Sequence, residues 1–177
     1  MTNKVIYKNK WLNITKQNNY YFVDENQDQV AVIPIFDNNK FILVKQFRSP
    51  LRKFTFEFPA GGIKCSENPK TAAKRELYEE TGILIKNLSK LKKLSKLSIN
   101  PQRNKKYPYC FYINISKNEL FSNKINLKKN NEIYSVHIFT IKFLLRYIEK
   151  GLISSSFMIA CFFQYILKKK LFKLKLK

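Results

Sequence analysis

The sequence predicts an α/β fold, an α/β/α sandwich in which helices cover both faces of a mixed β-sheet, preceded by an N-terminal antiparallel hairpin. Four apolar segments have the length and composition of strands: 29–34, 40–47, 107–115 and 132–140. A helix with clear start and stop signals separates the second strand from the third, and two helical segments, 140–150 and 154–170, follow the last strand. Because helices occur both between strands and after them, they can pack on opposite faces of one sheet.

A chain of 177 residues is long enough for one domain with its own hydrophobic core. We expect three regions: an N-terminal hairpin at 1–28, a main domain at 29–170 and a basic tail at 171–177. The hairpin pairs Trp11–Ile14 with Tyr20–Val23 across a polar turn. Its single tryptophan has two interpretations, packing within the hairpin or stacking on a base.

The strands 29–34 and 40–47 form a second hairpin across the turn residues Asp37-Asn38-Asn39. Arg48 ends the second of these strands. It is either an ordinary charge at the rim of the sheet or a group that grips phosphate or ribose, because a guanidinium group binds phosphate in a bidentate geometry.

The segment 61–83, GGIKCSENPKTAAKRELYEETGI, carries the strongest local signals in the chain. Asn68 can cap the first turn of a helix, and Pro69 suits the first helical position because its missing N–H group would have no partner there. Gly82 offers a left-handed stop that glycine adopts at little cost. The spacing therefore predicts a helix of about three and a half turns.

This helix concentrates negative charge. Glu76 and Glu80 lie four residues apart on one face, Glu79 is adjacent, and Glu67 comes just before the helix. Arg75 can pair with Glu79, which leaves the remaining charge to be compensated by a cation. Hard oxygen ligands of this kind suit Mg²⁺ or Mn²⁺. The alternative is the solvated face of an ordinary surface helix.

Downstream of the helix the pattern is weaker. The leucines of 85–99 fit either helical or strand periodicity, and we predict a strand there. A polar loop follows at 100–106, and a lysine-rich polar segment occupies 116–131. His137, the only histidine, alternates with apolar residues in the last strand, which indicates a structural role and argues against a histidine-rich zinc site.

The formal net charge of +22 raises the possibility of nucleic-acid binding, but the excess is mostly lysine, as a compositional bias would also produce. Nucleic acid is therefore a possible but not a favoured partner. Three cysteines without a CxxC pair favour a reducing compartment. The apolar run 157–167 is too short to span a membrane, and the N-terminal residues resemble no signal peptide, so we expect a cytoplasmic protein without a membrane segment.

The spacing from Gly61 through Glu67 to the segment 75–83, RELYEETGI, resembles the complete Nudix box. The flanking residues Gln46-Phe47-Arg48 and 57–62, EFPAGG, are similar to the ADP-ribose pyrophosphatase branch of the Nudix hydrolases. The likeness extends over nearly the whole chain, although outside the box it is a general pattern. The proline-bearing loop at 100–106 departs from that branch because the usual following glycine is absent.

The resemblance implies a fold, a reaction and a set of roles. The backbone carbonyl of Ala60 with Glu76 and Glu80 would bind Mg²⁺ or Mn²⁺, and Glu79 and Arg75 would assist or orient the catalytic groups. Gly61, Glu67 and Gly82 would brace the loop–helix–loop. The implied reaction is hydrolysis of ADP-ribose, or of a related nucleoside diphosphate sugar, to AMP and a sugar phosphate, in a homodimer that exchanges its N-terminal sheets.

The base that activates water in the resembled branch comes from a glutamate well downstream of the box. Only Glu119, Glu132 and Glu149 follow the box in this sequence, and Glu132 at the start of the last strand is the expected choice. The alternatives are Glu119 and, within the box, Glu79. Two other functions stay open. One is the hydrolysis of a capped or triphosphorylated RNA 5′ end, and the other is a nucleotide-binding module without turnover.

Overall fold

The computed structural model describes residues 4–121 and 133–171, and this part of the chain contains ten strands and four α-helices. The N-terminal region is a three-stranded antiparallel sheet of β1 (Lys4–Lys8), β2 (Leu12–Gln17) and β3 (Tyr20–Glu25). The predicted hairpin corresponds to β2 and β3, which pair from Leu12↔Glu25 to Gln17↔Tyr20. Sequence reasoning missed the additional strand β1.

The main sheet has seven strands. They are β4 (Gln29–Phe36), β5 (Lys40–Arg48), β6 (Lys53–Glu57), β7 (Ala60–Gly62), β8 (Lys92–Lys93), β9 (Tyr109–Ile115) and β10 (Ile133–Thr140). The strand order is β10-β5-β4-β9-β8, with β6 paired to β5 and β7 paired to β4. Only β4 and β9 run parallel among these strands, so the sheet is mixed as predicted.

Helices cover both faces of this sheet. They are α1 (Pro69–Thr81), α2 (Lys117–Phe121), α3 (Ile141–Glu149) and α4 (Ser156–Lys168). On one face, Val32 and Ile42 pack with Ala73 and Leu77 of α1. On the other face, Ile33, Phe41 and Leu43 pack with Leu144 of α3 and Phe162 of α4. Successive strand residues point to opposite faces, so β4 and β5 supply both layers and the predicted sandwich is confirmed.

Two segments differ from their predictions. The predicted strand at 85–99 is wrong: the chain forms a 3₁₀ turn at Leu88–Lys90, the two-residue strand β8 and otherwise irregular structure. Leu91 and Leu94 are buried, so these leucines anchor an irregular segment to the core instead of marking a strand. The polar segment 116–131 begins with helix α2, and its residues 122–131 lie outside the described part, as do residues 172–177 of the expected basic tail.

The predicted polar loop at 100–106 connects the two sheets. The backbone N–H of Val23 in β3 donates to the carbonyl of Arg103 at 2.8 Å, and Arg103 Nη1 donates to the carbonyl of Tyr21 at 3.2 Å. The N-terminal sheet therefore rests on this loop. Among the described helices, none is long and apolar enough to cross a membrane.

Candidate active site

Helix α1 begins and ends where its local signals predict. The side chain of Asn68 accepts a hydrogen bond from the backbone N–H of Lys70 at 2.9 Å, and Gly82 has a left-handed φ of 73°. Ala73 and Leu77 are fully buried against the sheet. This orientation turns Glu76 and Glu80 toward the loop that precedes the helix, and both are 8% exposed. The alternative of a solvated surface helix is thus excluded for this face.

Arg75 joins the loop to the helix. Its Nε and Nη2 donate to the two carboxylate oxygens of Glu67, each at 2.9 Å, and Nη2 also donates to the carbonyl of Gly62 at 2.8 Å. Its Nη1 donates to Glu76 at 2.6 Å and to Glu79 at 3.3 Å. One guanidinium group therefore fixes three carboxylates at once, and it lowers the pKa of Glu67.

Glu80 lies deepest in the cluster. It accepts a hydrogen bond from the backbone N–H of Ala60 at 3.2 Å, which places the residue with the predicted carbonyl ligand beside this carboxylate. Burial, followed by the charge of Glu76, raises the pKa of Glu80 to about 8. Burial also raises the pKa of Glu76, although the bond from Arg75 opposes this shift. Two buried carboxylates with raised pKa values are a site that a cation would stabilise.

Gly61 is required by the closeness of this packing. A Cβ atom at this position would collide with the carboxylate of Glu76. Since Arg75 holds Glu76 in place, the carboxylate has little freedom to give way. The loop backbone can approach the helix only because residue 61 has no side chain.

The structure adds a residue that sequence reasoning missed. Glu57, at the end of β6 and 5% exposed, accepts two hydrogen bonds from Arg48, from Nε at 2.8 Å and from Nη2 at 2.6 Å. Arg48 is therefore more than a rim charge, because a buried carboxylate orients its guanidinium group at the site. The only sequence signal for Glu57 was its place in the EFPAGG stretch at 57–62, just before the segment that contains Ala60 and Gly61.

These groups line one cavity of about 640 Å³. Its floor contains Glu57, Ala60, Glu76 and Glu80, and Arg48 lies beside them. The opposite wall consists of residues 154–158, where α4 begins. Glu25 from the N-terminal sheet also reaches the cavity, so both sheets contribute to it.

The three glutamates that follow helix α1 in the chain differ in their surroundings. Glu132 lies outside the described residues. Glu119 is bound by Lys90 at 2.7 Å and by the backbone N–H of Ser116 at 2.9 Å, and it does not line the cavity. Glu149 is an exposed residue at the end of α3. His137 packs edge-on against Phe56 at 5.1 Å and bonds Ser135, which agrees with a structural role.

The donor set fits a hard divalent cation. Among the described residues no three His, Cys, Asp or Glu side chains are arranged to hold a metal, but the predicted ligands require only two carboxylates and a backbone oxygen. Mg²⁺ commonly takes one or two carboxylates and completes its shell with water and substrate phosphate. The buried pair Glu76 and Glu80, beside Ala60, provides that set.

A mixed sheet lies between helices, and a loop–helix–loop buries paired carboxylates beneath a polar cavity, so the protein is of the α/β class with a carboxylate-lined candidate active site. Comparison with known proteins makes the assignment specific. The family described as NUDIX domain matches residues 25–152, most of the chain. The protein belongs to the NUDIX family.

Individual relatives add detail. A stretch of 62 residues is 48% identical to the ADP-ribose pyrophosphatase of Bacillus subtilis (strain 168), covering 35% of this chain and 34% of that protein. The ADP-sugar pyrophosphatase of Mus musculus is 48% identical over 62 residues, 33% of this chain and 28% of that protein. The matched stretches thus span about a third of these relatives. A crystal structure of an ADP compounds hydrolase superposes with a TM-score of 0.72 at 16% identity, covering 97% of this chain and 92% of that one, which shows the same fold.

Proposed function

We propose that this protein hydrolyses the pyrophosphate bond of ADP-ribose, or of a related nucleoside diphosphate sugar, to AMP and a sugar phosphate. The observation that carries the proposal is the buried pair Glu76 and Glu80 at the floor of a 640 Å³ cavity, with Arg48 beside it. The relatives named as ADP-ribose and ADP-sugar pyrophosphatases support the substrate class.

Each group has a role that follows from its contacts. Glu76, Glu80 and the Ala60 carbonyl would hold Mg²⁺ or Mn²⁺, which would neutralise phosphate charge and lower the pKa of bound water. Arg75 positions Glu76 and Glu79 by direct hydrogen bonds. Arg48, oriented by Glu57, presents a guanidinium group to the diphosphate of the substrate.

The test is product analysis on a panel of nucleoside diphosphate sugars and triphosphorylated RNA, with Mg²⁺ and with EDTA. We expect AMP and ribose 5-phosphate from ADP-ribose only with the metal, and loss of turnover in Glu80→Gln. Glu149→Gln, at the exposed end of α3, is the matched control and should retain full activity. Undiminished activity in EDTA would refute the metal site, and release of pyrophosphate from RNA alone would reassign the substrate. Binding of the sugar nucleotide without any product would instead indicate a binding module.

The general base is proposed to be Glu132 on the basis of the sequence. Glu119 is bonded to Lys90 and Ser116, and Glu149 is not among the residues that line the cavity, which supports this choice by elimination among the three downstream glutamates. Glu132→Gln should lower kcat by about 100-fold or more with little change in KM. Near-normal kcat would transfer the role to Glu79.

We also propose a homodimer formed through the N-terminal sheet. Six apolar side chains on this sheet are 43–66% exposed: Val5, Ile6, Tyr7, Trp11, Tyr20 and Tyr21. A partner that covers them would remove a large apolar surface from water.

A reducing, cytoplasmic location is proposed as well, because Cys65, Cys110 and Cys161 are all free thiols.

A further inference from the structure

Glu25, the last residue of β3, brings a further carboxylate to the active-site cavity. It lines this cavity together with Glu57, Glu76 and Glu80. Glu57 binds Arg48, and Glu76 and Glu80 belong to the proposed cation site. The function proposed above therefore gives Glu25 no task, although its side chain is half-buried at the cavity.

No cation of the described part of the chain neutralises Glu25. The adjacent Asp24 is paired with Lys105 at 3.7 Å, but no lysine, arginine or histidine in that part forms an ion pair with Glu25. The carboxylate accepts one side-chain hydrogen bond there, from Nε2 of Gln29, and this bond is long at 3.5 Å. In a chain with a net charge of +22, an acidic side chain with spare acceptor capacity thus lines the cavity.

The position of Glu25 is fixed from both sides. Its backbone pairs with Leu12 of β2. The residues that follow it are bound to the segment after β7: Nε2 of Gln27 donates to the carbonyl of Ile63 at 3.0 Å, and the N–H of Ile63 donates to the carbonyl of Asp28 at 2.7 Å. The carboxylate is therefore held at a strand end that is tied to the loop preceding helix α1.

Glu25 is displaced along the sheet from the proposed cation site. Its partner Gln29 lies opposite Gly62, whereas Ala31 lies opposite the proposed ligand Ala60. Two positions along a strand correspond to about 7 Å. A carboxylate repels phosphate, so the part of a nucleotide sugar beside Glu25 has to be uncharged and to carry hydrogen-bond donors. The hydroxyl groups of a ribose meet both conditions.

We propose that Glu25 binds the adjacent hydroxyl groups of a ribose in the substrate and so selects ribose over deoxyribose. The two oxygens of an ionised carboxylate can accept from two neighbouring O–H groups. An acidic side chain also binds the ribose hydroxyl in dinucleotide-binding α/β folds. The inference rests on the proposed function, because it names the part of the nucleotide sugar that this side of the cavity recognises.

The test is calorimetric titration of the full chain in EDTA, which needs no turnover, with ADP-ribose and two analogues. One analogue lacks the 2-hydroxyl of the adenosine ribose, and the other lacks the 2-hydroxyl of the terminal ribose. The wild type should bind ADP-ribose about ten-fold more tightly than one of them, and that analogue identifies the ribose.

Glu25→Ala should remove this discrimination. Its affinity for ADP-ribose should fall about ten-fold, while its affinity for the identified analogue should stay within about two-fold of the wild type, because the lost bond is absent there already. With Mg²⁺, the KM for ADP-ribose should rise about ten-fold at a nearly unchanged kcat. Glu25→Gln keeps one acceptor oxygen and should retain part of the discrimination.

The matched control for Glu25→Gln is Asp24→Asn. It makes the same change in net charge at the adjacent residue, which is paired with Lys105 and does not line the cavity, and it should retain full discrimination. Equal losses of affinity for all three ligands in Glu25→Ala would indicate a structural role and overturn the inference. So would unchanged discrimination in that variant, or a wild type that does not bind ADP-ribose.

The two proposals fail in different ways. Hydrolysis of ADP-ribose without discrimination between ribose and deoxyribose would refute the role of Glu25 alone. Discrimination that depends on Glu25, without hydrolysis in Mg²⁺, would refute the hydrolase proposal alone.

Discussion

Two requirements on the ionisation state of Glu80 oppose each other. It is buried beneath the cavity, which favours its neutral form, yet a cation ligand must be ionised. With a pKa of about 8, it holds a proton at neutral pH when no cation is bound. Binding of a divalent cation therefore displaces that proton, and the affinity for the cation should increase with pH up to about this value.

The same shift predicts how Glu80→Gln alters stability. The pKa of Glu80 rises from 4.5 to about 8 on folding, which means that the folded protein binds this proton more tightly than the unfolded chain. The resulting contribution to the free energy of unfolding is fully present below pH 4.5 and is lost as the pH rises through 8. Glutamine keeps an oxygen for the Ala60 N–H group and does not ionise. In EDTA at pH 9 the variant should exceed the wild type by about 2–4 kcal/mol in the free energy of unfolding.

Urea unfolding at pH 4.5 and pH 9 measures this difference. The two proteins should be nearly equal at the lower pH, and Mg²⁺ at pH 9 should stabilise only the wild type. A difference that does not change between the two pH values would show that Glu80 titrates normally.

Residue-scale prediction from sequence succeeded where the partners are close in the chain. Arg75, Glu76, Glu79 and Glu80 share one helix, so their neighbourhood follows from helical spacing. Glu57 was missed because its bond to Arg48 depends on the register of β5 against β6, in which Arg48 lies opposite Lys53 and Val44 lies opposite Glu57. The register between two strands depends on how they pair in the folded protein, and the residue pattern of each strand alone does not specify it.

At the scale of elements, helix α1 is determined by local signals, whereas the segment 85–99 depends on contacts with distant parts of the chain. Helix α1 carries its own cap and stop residues, so its bounds are set locally. In 85–99, Leu91 and Leu94 are spaced by three with lysines between them, yet each is buried by contact with the distant core. The spacing resembles a long regular element, but this segment forms only a 3₁₀ turn and the two-residue strand β8, and both leucines are held by packing against the core.

The loop–helix unit gives a second prediction. Gly61→Ala should weaken Mn²⁺ binding at least ten-fold and lower kcat, because the new methyl group must displace the Glu76 carboxylate. The stability cost should be about 1–3 kcal/mol. Gly151→Ala is the matched control: its φ of 66° makes the substitution costly to stability, but no atom lies within 4 Å of the added carbon. Calorimetric titration with Mn²⁺ should find its affinity normal, and a normal affinity in Gly61→Ala would contradict the geometry.

At the scale of the molecule, the N-terminal sheet lacks a core of its own. Thr15 is its only buried residue in the described chain, and a three-stranded sheet with both faces wet is marginal in water. Its stability therefore requires the support of the 100–106 loop and, in the proposed dimer, of a second copy.

Trp11→Asp tests this assembly. Light scattering at micromolar concentration should give twice the chain mass of 21.1 kDa for the wild type and the single mass for the variant. Leu167→Asp, at a 57% exposed position on α4, should remain dimeric. A monomeric wild type, or dissociation by both substitutions, would argue against an interface at the N-terminal sheet.

The parallel pairing of β4 with β9 has a consequence for how the chain folds. β4 meets β5 across a short turn, but it meets β9 with Val30 opposite Tyr109, about 80 residues later in the chain. Closing so long a loop costs entropy before any contact compensates for it, so the hairpin can form early while the parallel pair must form late. The cavity has walls from residues on both sides of this closure, including Glu57, Pro108 and Ser154. A chain that had formed only local hairpins and helix α1 would contain the carboxylates without the pocket, so catalytic activity requires that β4 and β9 have paired.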